Sequence, residues 1–138
     1  GTGQYLGVLG GVDAITSPAF ALFVKEASSR YDRVLLVFGC AEFHRMEYSI
    51  ALDVARELEE KYDNVVAAAE PREVVLGGVR FALAPFWPRV AEREGETIVF
   101  DLFLETAEGV AAASAADINK MHAASRDWLV SLARSDTT

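Results

Sequence analysis

The sequence contains few of the residues from which metal and redox sites are built. Among its 138 residues there are one cysteine and two histidines. A single cysteine excludes an internal disulfide and a four-thiolate zinc site, and it favours a reducing compartment inside a cell or organelle. His44 and His122 are too few and too far apart for a zinc or two-metal hydrolase site, which needs several His, Asp or Asn ligands around each ion. Composition therefore predicts no metal cofactor.

An excess of basic residues and a long apolar run are also missing. The formal net charge is −8, whereas a protein that binds nucleic acid or an anionic membrane presents a basic surface. No apolar run reaches the length that a bilayer requires. The chain is 51% apolar and 25% charged, which is ordinary globular composition. We expect a soluble protein with one domain over residues 1–138, and neither nucleic acid nor a membrane as its partner.

The first half of the chain alternates predicted strands and helices. The unbroken apolar run Val34–Phe38 predicts a strand that is buried on both faces of a parallel sheet. Ser17 and Pro18 predict a helix start, since Ser is a favoured N-cap and Pro a favoured first residue. Further elements are a buried strand at Tyr5–Leu9, a helix at about Glu47–Tyr62 with Ile50, Val54, Leu58 and Tyr62 on one stripe, and a strand at Asn64–Ala68. This order predicts an α/β fold with a mainly parallel sheet, right-handed crossovers and helices on its faces.

The second half shows a different pattern. Gly77 and Gly78 separate two apolar runs, which predicts a β-hairpin with a type I′ turn. The hairpin strands are expected at Glu73–Leu76 and Val79–Ala84, and a stiff aromatic loop follows at Pro85–Pro88. After it we expect an exposed stretch at Arg89–Gly95, a strand at Thr97–Leu104 and an Ala-rich stretch without a packing pattern at Glu105–Ala116. The last element is a helix at Asp117–Ala133, with one face formed by Ile118, Met121, Ser125, Leu129 and Leu132. The hairpin extends the predicted parallel core.

The residues just after Phe38 are the first place to look for chemistry, because ligands bind at the carboxyl ends of parallel strands. Cys40 could act as a nucleophile only with a base, for which His44 is the nearby candidate. A solvated loop is the simpler interpretation of His44, and a packed or half-exposed side chain that of His122. Asp13 and Glu42 could form a carboxylate pair, at most a weak divalent-cation site.

Glycines within and just after the first predicted strand do not form a phosphate-binding motif. Gly7, Gly10 and Gly11 lack the spacing of the dinucleotide fingerprint, and no Lys follows the last of them as in a nucleoside-triphosphate loop. We interpret them as a strand exit.

Four separate pieces of the sequence, taken together, resemble the calcineurin-like metallophosphoesterase family. Tyr5–Val12 resembles the family's strand that ends in Gly-Asp, and Gly39–Phe43 resembles its Gly-Asn-His-Glu turn. Glu73–Phe81 followed by Phe86-Trp87 resembles its hairpin and Leu-Trp loop, and Ile118–Leu129 resembles a late helix. The resemblance implies part of an αββα sandwich, whose first and last strands would lie before Gly1 and after Thr138.

When the family's metal-binding positions are compared one by one with this sequence, the metal ligands are found to be replaced. Gly11 stands where the family has a bridging Asp, Cys40 where it has a metal-binding Asn, and Ala41 where it has a catalytic His. Only Glu42 is kept. These four are therefore vestigial positions, and the resemblance implies a framework without the two-metal chemistry.

Three functional hypotheses follow. The first is a catalytically inactive, metallophosphoesterase-like structural or interaction subunit, joined to a protein partner or to further copies of itself through an exposed sheet edge. The second is a residual phosphoesterase that holds two divalent ions (Mn, Fe or Zn) with a makeshift site of Asp13, Glu42 and His44. The third is a metal-free module that binds a small anion or nucleotide in a cleft near Gly10, Gly39 and Trp87.

Overall fold

The computed structural model describes residues 3–93 and 99–135. It shows a mixed α/β fold with three helices and three small sheets. The elements in chain order are β1 (Tyr5–Val8), α1 (Pro18–Arg30), β2 (Arg33–Val37), β3 (Met46–Glu47), α2 (Tyr48–Lys61), β4 (Val65–Ala68), β5 (Arg72–Leu76), β6 (Val79–Leu83), β7 (Val99–Thr106), β8 (Gly109–Ser114) and α3 (Ala115–Ser135). No helix among these residues is long and apolar enough to cross a membrane.

The central sheet is parallel, with strand order β1-β2-β4. Its middle strand β2 is buried on both faces, as the unbroken apolar run predicts. Val34, Leu36 and Phe38 belong to the main core, together with residues of α1 and α2. Leu35 and Val37 point to a second apolar cluster, which includes Leu83 and partly buried side chains of β5 and β6. One face of this sheet is therefore covered by helices and the other by the hairpin.

The prediction of one mainly parallel sheet is wrong in its extent. Only β1, β2 and β4 form an all-parallel sheet, while β3-β7-β8 is a mixed sheet and β5-β6 is a separate antiparallel pair. The prediction of a buried first strand is also wrong. Among the described strands β1 pairs only with β2, so Tyr5 and Gly7 are exposed and Leu9, beyond the strand, is 89% exposed.

Helix α2 lies almost where the sequence predicts it, but its buried face is shifted. The fully packed residues are Ala51 and Ala55, whereas Ile50 is 46% exposed. Val54 and Leu58 are only partly buried against the core. Small side chains let the helix axis approach the sheet, so the alanines occupy the centre of the contact and the larger residues lie beside it.

The β5-β6 hairpin confirms the predicted turn. Gly77 and Gly78 have φ values of 58° and 79°, and a type I′ turn needs positive φ at both central residues. The register pairs Leu76 with Val79 and Arg72 with Leu83.

The Ala-rich stretch Glu105–Ala116, for which we predicted no packing pattern, forms regular secondary structure that is mostly exposed. It completes β7, forms β8 and begins α3, and Ala113 is fully buried. Methyl side chains carry too little apolar signal for the sequence pattern to show this strand. Part of the predicted exposed stretch and part of the predicted strand, residues 94–98, lie outside the described residues, but Arg89 and Arg93 are exposed as expected.

Helix α3 begins two residues before its predicted start, because a reciprocal cap precedes it. The backbone N–H of Ser114 donates to Asp117 Oδ2 (2.9 Å), and the backbone N–H of Asp117 donates to Ser114 Oγ (3.2 Å). Hydrogen bonds from Ser114 hold the pKa of the Asp117 carboxyl below its ordinary value. The predicted face is confirmed: Ile118 and Ser125 are buried, and the other three members are partly buried.

Candidate functional site at the carboxyl ends of the parallel strands

Two glycine loops meet where β1 and β2 end. Because Val8 of β1 is in register with Leu36 of β2, the segments that follow the two strands leave the sheet side by side. Gly10 has a φ of 80°, and a Cβ atom there would lie 2.8 Å from the backbone nitrogen of Gly39. Only glycine fits such a close backbone approach at positive φ. The interpretation of these glycines as a strand exit is consistent with this geometry.

The two loops are joined by the carboxylate of Glu42. This side chain is fully buried (0% exposed) and accepts hydrogen bonds from three backbone N–H groups. Its Oε2 atom accepts from Gly11 (3.1 Å) and from Gly39 (2.8 Å), and its Oε1 atom accepts from Val12 (2.7 Å). A buried carboxylate is costly unless it is hydrogen-bonded, and backbone N–H donors supply that compensation here.

Asp13 has a separate, local role. Its carboxylate accepts from the backbone N–H of Ala14 (2.7 Å) and from the hydroxyl of Ser17 (2.8 Å). Ser17 in turn caps α1, since its Oγ atom accepts from the backbone N–H of Ala19 (3.1 Å). Asp13 and Glu42 thus accept hydrogen bonds from different donors. The bonds of Glu42 join two loops, and those of Asp13 orient the residues that begin α1.

A small cavity lies beside this junction. Its volume is about 150 Å³, and Cys40, His44 and Trp87 line it together. Cys40 is exposed, whereas Trp87 is buried and packs on Phe43 at a ring-centroid distance of 4.7 Å. The remaining lining residues are Phe43, Pro88, Phe100, Asp101, Leu102 and Ile118.

The Asp101 carboxylate at the rim of the cavity lies close to His44 and Arg45. His44 is exposed, as expected for a solvated turn, and its Nδ1 atom lies 3.7 Å from Asp101 Oδ2. Arg45 lies near the same oxygen, with its Nε atom 4.0 Å from Asp101 Oδ2. The other histidine, His122, is half-buried and bonds through Nδ1 to the carbonyl oxygen of Trp87 (2.7 Å). His122 therefore holds the aromatic loop, as a packed side chain does.

The structure separates the sequence-predicted residues into two groups. Gly10, Gly11, Gly39 and Glu42 meet at the loop junction, while Cys40, His44 and Trp87 meet at the cavity. Asp101 was missed by the sequence analysis. It arrives through the pairing of β3 with β7, in which Met46 lies opposite Leu102, and nothing local in the sequence indicates this long-range contact.

The residues at the junction do not fit the two-metal site of the resembled family. Gly11 and Ala41 have no ligand atom in their side chains, and the oxygens of Glu42 already accept backbone hydrogen bonds. Within residues 3–93 and 99–135 no group of three or more His, Cys, Asp or Glu side chains could hold a metal ion.

Comparison with protein-family models, with curated proteins and with solved structures found no match to this chain. The family resemblance thus rests on the sequence pieces described above.

Proposed function

We propose that this chain is a non-catalytic, metallophosphoesterase-like protein that acts as a structural or interaction subunit. The observation that carries the proposal is the bonding of Glu42. Of the four family positions only Cys40 and Glu42 have side chains that could bind a metal, and the Glu42 carboxylate instead joins the loops after β1 and β2. In this proposal the framework corresponds to part of the family's αββα sandwich.

The outer edge of β1 supports an interaction role. Among the described strands β1 has a neighbour on one side only, and an unpaired edge offers backbone donors and acceptors to another strand. At Gly7 a Cβ atom would meet nothing within 4 Å, so the sheet face has room for a side chain at this position. We propose that a second copy of the chain pairs with this edge and that the protein is a homo-oligomer.

Light scattering on two charge-matched variants tests this interaction. Gly7→Lys places a charge on the open edge strand, where lysine opposes strand pairing. Ala21→Lys adds the same charge to an exposed position of α1 and is the control. We expect an oligomer for the wild type and for Ala21→Lys, and a monomer for Gly7→Lys. A wild-type monomer, or an oligomer that Gly7→Lys leaves intact, contradicts pairing through β1.

A further inference from the structure

Every second residue along β1 directs its backbone N–H and C=O groups away from β2, toward the open edge of the sheet. The carbonyl oxygen of Gln4 accepts from the backbone N–H of Asp32 (3.0 Å), so the even-numbered residues of this segment face β2. Peptide groups alternate in direction along a strand, and those of Tyr5, Gly7 and, one residue beyond β1, Leu9 therefore face the open edge. These three residues can exchange backbone hydrogen bonds with another strand.

The side chains of the same three residues share one face of the sheet and are open to solvent. Tyr5 is 44% and Leu9 is 89% exposed, whereas Leu6 and Val8, on the other face, pack against the main core. Edge strands are usually protected from pairing by charged side chains or proline. Residues 3–12 contain neither, although the whole chain has a net charge of −8. Two copies can therefore approach each other along this edge without bringing like charges together.

Positive φ values at both ends limit the segment that can pair. Gly3 has a φ of 69°, and Gly10 and Gly11 have φ values of 80° and 77°. An antiparallel strand needs a φ near −140°. The backbone available to a second strand therefore lies within residues 4–9.

This limit selects one register for two identical copies. Outward-facing residues must oppose outward-facing residues, because the peptide groups of the others face β2. When Gly7 opposes Gly7 of the second copy, Tyr5 opposes Leu9, and all three outward-facing residues of each chain are paired. A shift by two residues in either direction places Leu9 opposite Gly3 or Tyr5 opposite Gly11, and the hydrogen bonds of that pair are lost.

Apolar surface beside the edge enlarges the contact. Residues 5–9 span about 17 Å, so their backbone alone supplies only a small part of the roughly 600 Å² per partner that a stable interface buries. Phe86 is 63% exposed and lines a surface cavity together with Leu9. Tyr5 lies against Phe81 of the hairpin, with 6.2 Å between the ring centroids. In the selected register, Tyr5 of the second copy meets Leu9 next to Phe86.

We propose that two copies of the chain pair antiparallel through β1 about a two-fold axis at Gly7, which joins their parallel sheets into one continuous sheet. Each Tyr5 side chain packs on Leu9 of the other copy and beside Gly7, where the sheet face has room for it. This inference rests on the proposed homo-oligomer and adds its orientation and register.

Disulfide trapping of single-cysteine variants tests the register. All variants carry Cys40→Ser, which removes the exposed native thiol. Gly7→Cys places two thiols opposite each other at a Cα separation of about 5.5 Å, which a disulfide can span. Leu9→Cys is the matched control on the same face, because its two copies lie about 14 Å apart along the strands. A mixture of Tyr5→Cys and Leu9→Cys places unlike thiols opposite each other and leaves Gly7 intact.

Under copper-phenanthroline oxidation we expect Gly7→Cys to form disulfide dimers about tenfold faster than Leu9→Cys, since only its thiols are within bonding reach. We expect the mixture to form mainly the mixed dimer, which mass spectrometry identifies. Light scattering of the wild type and the reduced variants measures association separately. If they associate but the mixed dimer does not exceed the two self-dimers, the register is overturned and the homo-oligomer stands. A monomeric wild type overturns both.

The mixture decides the register even where Gly7→Cys weakens association. Where Gly7→Cys does associate, a rate within threefold of the Leu9→Cys rate also overturns a two-fold axis at Gly7.

Discussion

At the scale of single residues, the buried carboxylate of Glu42 joins the loops that follow β1 and β2. It is one of two buried polar side chains among the described residues, and both of its oxygens accept from backbone N–H groups. Its role is to hold two loops together. A glutamine at this position would present an NH₂ group where the backbone offers only donors.

We expect Glu42→Gln to lower the free energy of unfolding by about 2–4 kcal/mol, because charge-assisted hydrogen bonds are lost and a buried N–H is left without an acceptor. Urea unfolding measures this change. The matched control, Glu57→Gln on the exposed face of α2, should cost less than about 0.5 kcal/mol. Equal effects of the two substitutions would show that Glu42 does not hold the loops.

Tyr48 provides a pH-dependent test of the packing around α2. Burial, and secondly the nearby Glu70 carboxylate, raise the pKa of Tyr48 from 10.0 to about 12. Its hydroxyl donates to the carbonyl oxygen of Ala69 (3.2 Å). Between pH 10 and pH 12 the unfolded Tyr48 ionises while the folded one keeps its proton, so stability is complete below pH 10 and falls as the pH rises.

We therefore expect the unfolding free energy of the wild type to fall more steeply from pH 10 to pH 12 than that of Tyr48→Phe, which has no proton to lose. Denaturant unfolding at a series of pH values gives both curves, and absorbance at 295 nm gives the ionisation itself. Parallel curves would mean that Tyr48 is not shielded from solvent in the folded protein.

Sequence reasoning identified Glu42 but not its bonds. The unbroken apolar run Val34–Phe38 predicts a buried strand and its carboxyl end. The turn that contains Glu42 could therefore be located from the sequence. That its oxygens accept from Gly11 and Val12 depends on the positive φ of Gly10 and Gly11, a backbone geometry that the sequence permits but does not specify.

At the scale of elements, the junction of β1 and β2 depends on the approach of two backbones. A Cβ atom at Gly10 would lie 2.8 Å from Gly39 N and 2.9 Å from Gly39 Cα, whereas a Cβ at Gly11 would meet nothing within 4 Å. The φ values of the two glycines are nearly equal, at 80° and 77°. Alanine substitutions at these two glycines therefore distinguish the stability cost of steric crowding from the stability cost of a positive φ.

Gly11→Ala should lower the free energy of unfolding by about 1 kcal/mol, the cost of a left-handed conformation. Gly10→Ala should cost about 3 kcal/mol or more, because backbone atoms of Gly39 must also move. Thermal or urea unfolding of both variants gives the difference. If the two alanines are equally tolerated, the strand ends do not approach as closely as described.

Periodicity predicted most elements but not their assembly. The α1 cap at Ser17, the buried strand β2 and the Gly77-Gly78 turn each have a strong local signal, and all three are confirmed. The β8 strand has almost none, since Val110 is its only large apolar residue and is 54% exposed. Its pairing with β7 is a tertiary effect that local preference does not encode.

At the scale of the whole molecule, the sequence indicated an α/β fold and the structure shows one, divided among three sheets. The division could not be predicted, because β3 has two residues and pairs with β7 across a long stretch of chain. The cavity beside β7 escaped prediction for the same reason: Cys40 and His44 were identified from the sequence, but Asp101 was not.

In the proposed function, the carboxylate of Glu42 binds backbone N–H groups and no metal ion. Titration with Mn²⁺ followed by amide NMR tests it directly, because a paramagnetic ion at Glu42 would broaden the signals of Gly11, Val12 and Gly39 first. We predict that these three signals keep the intensity of the average amide throughout the titration. Their selective and saturable loss near one or two equivalents of Mn²⁺ would place an ion at the junction and contradict the account.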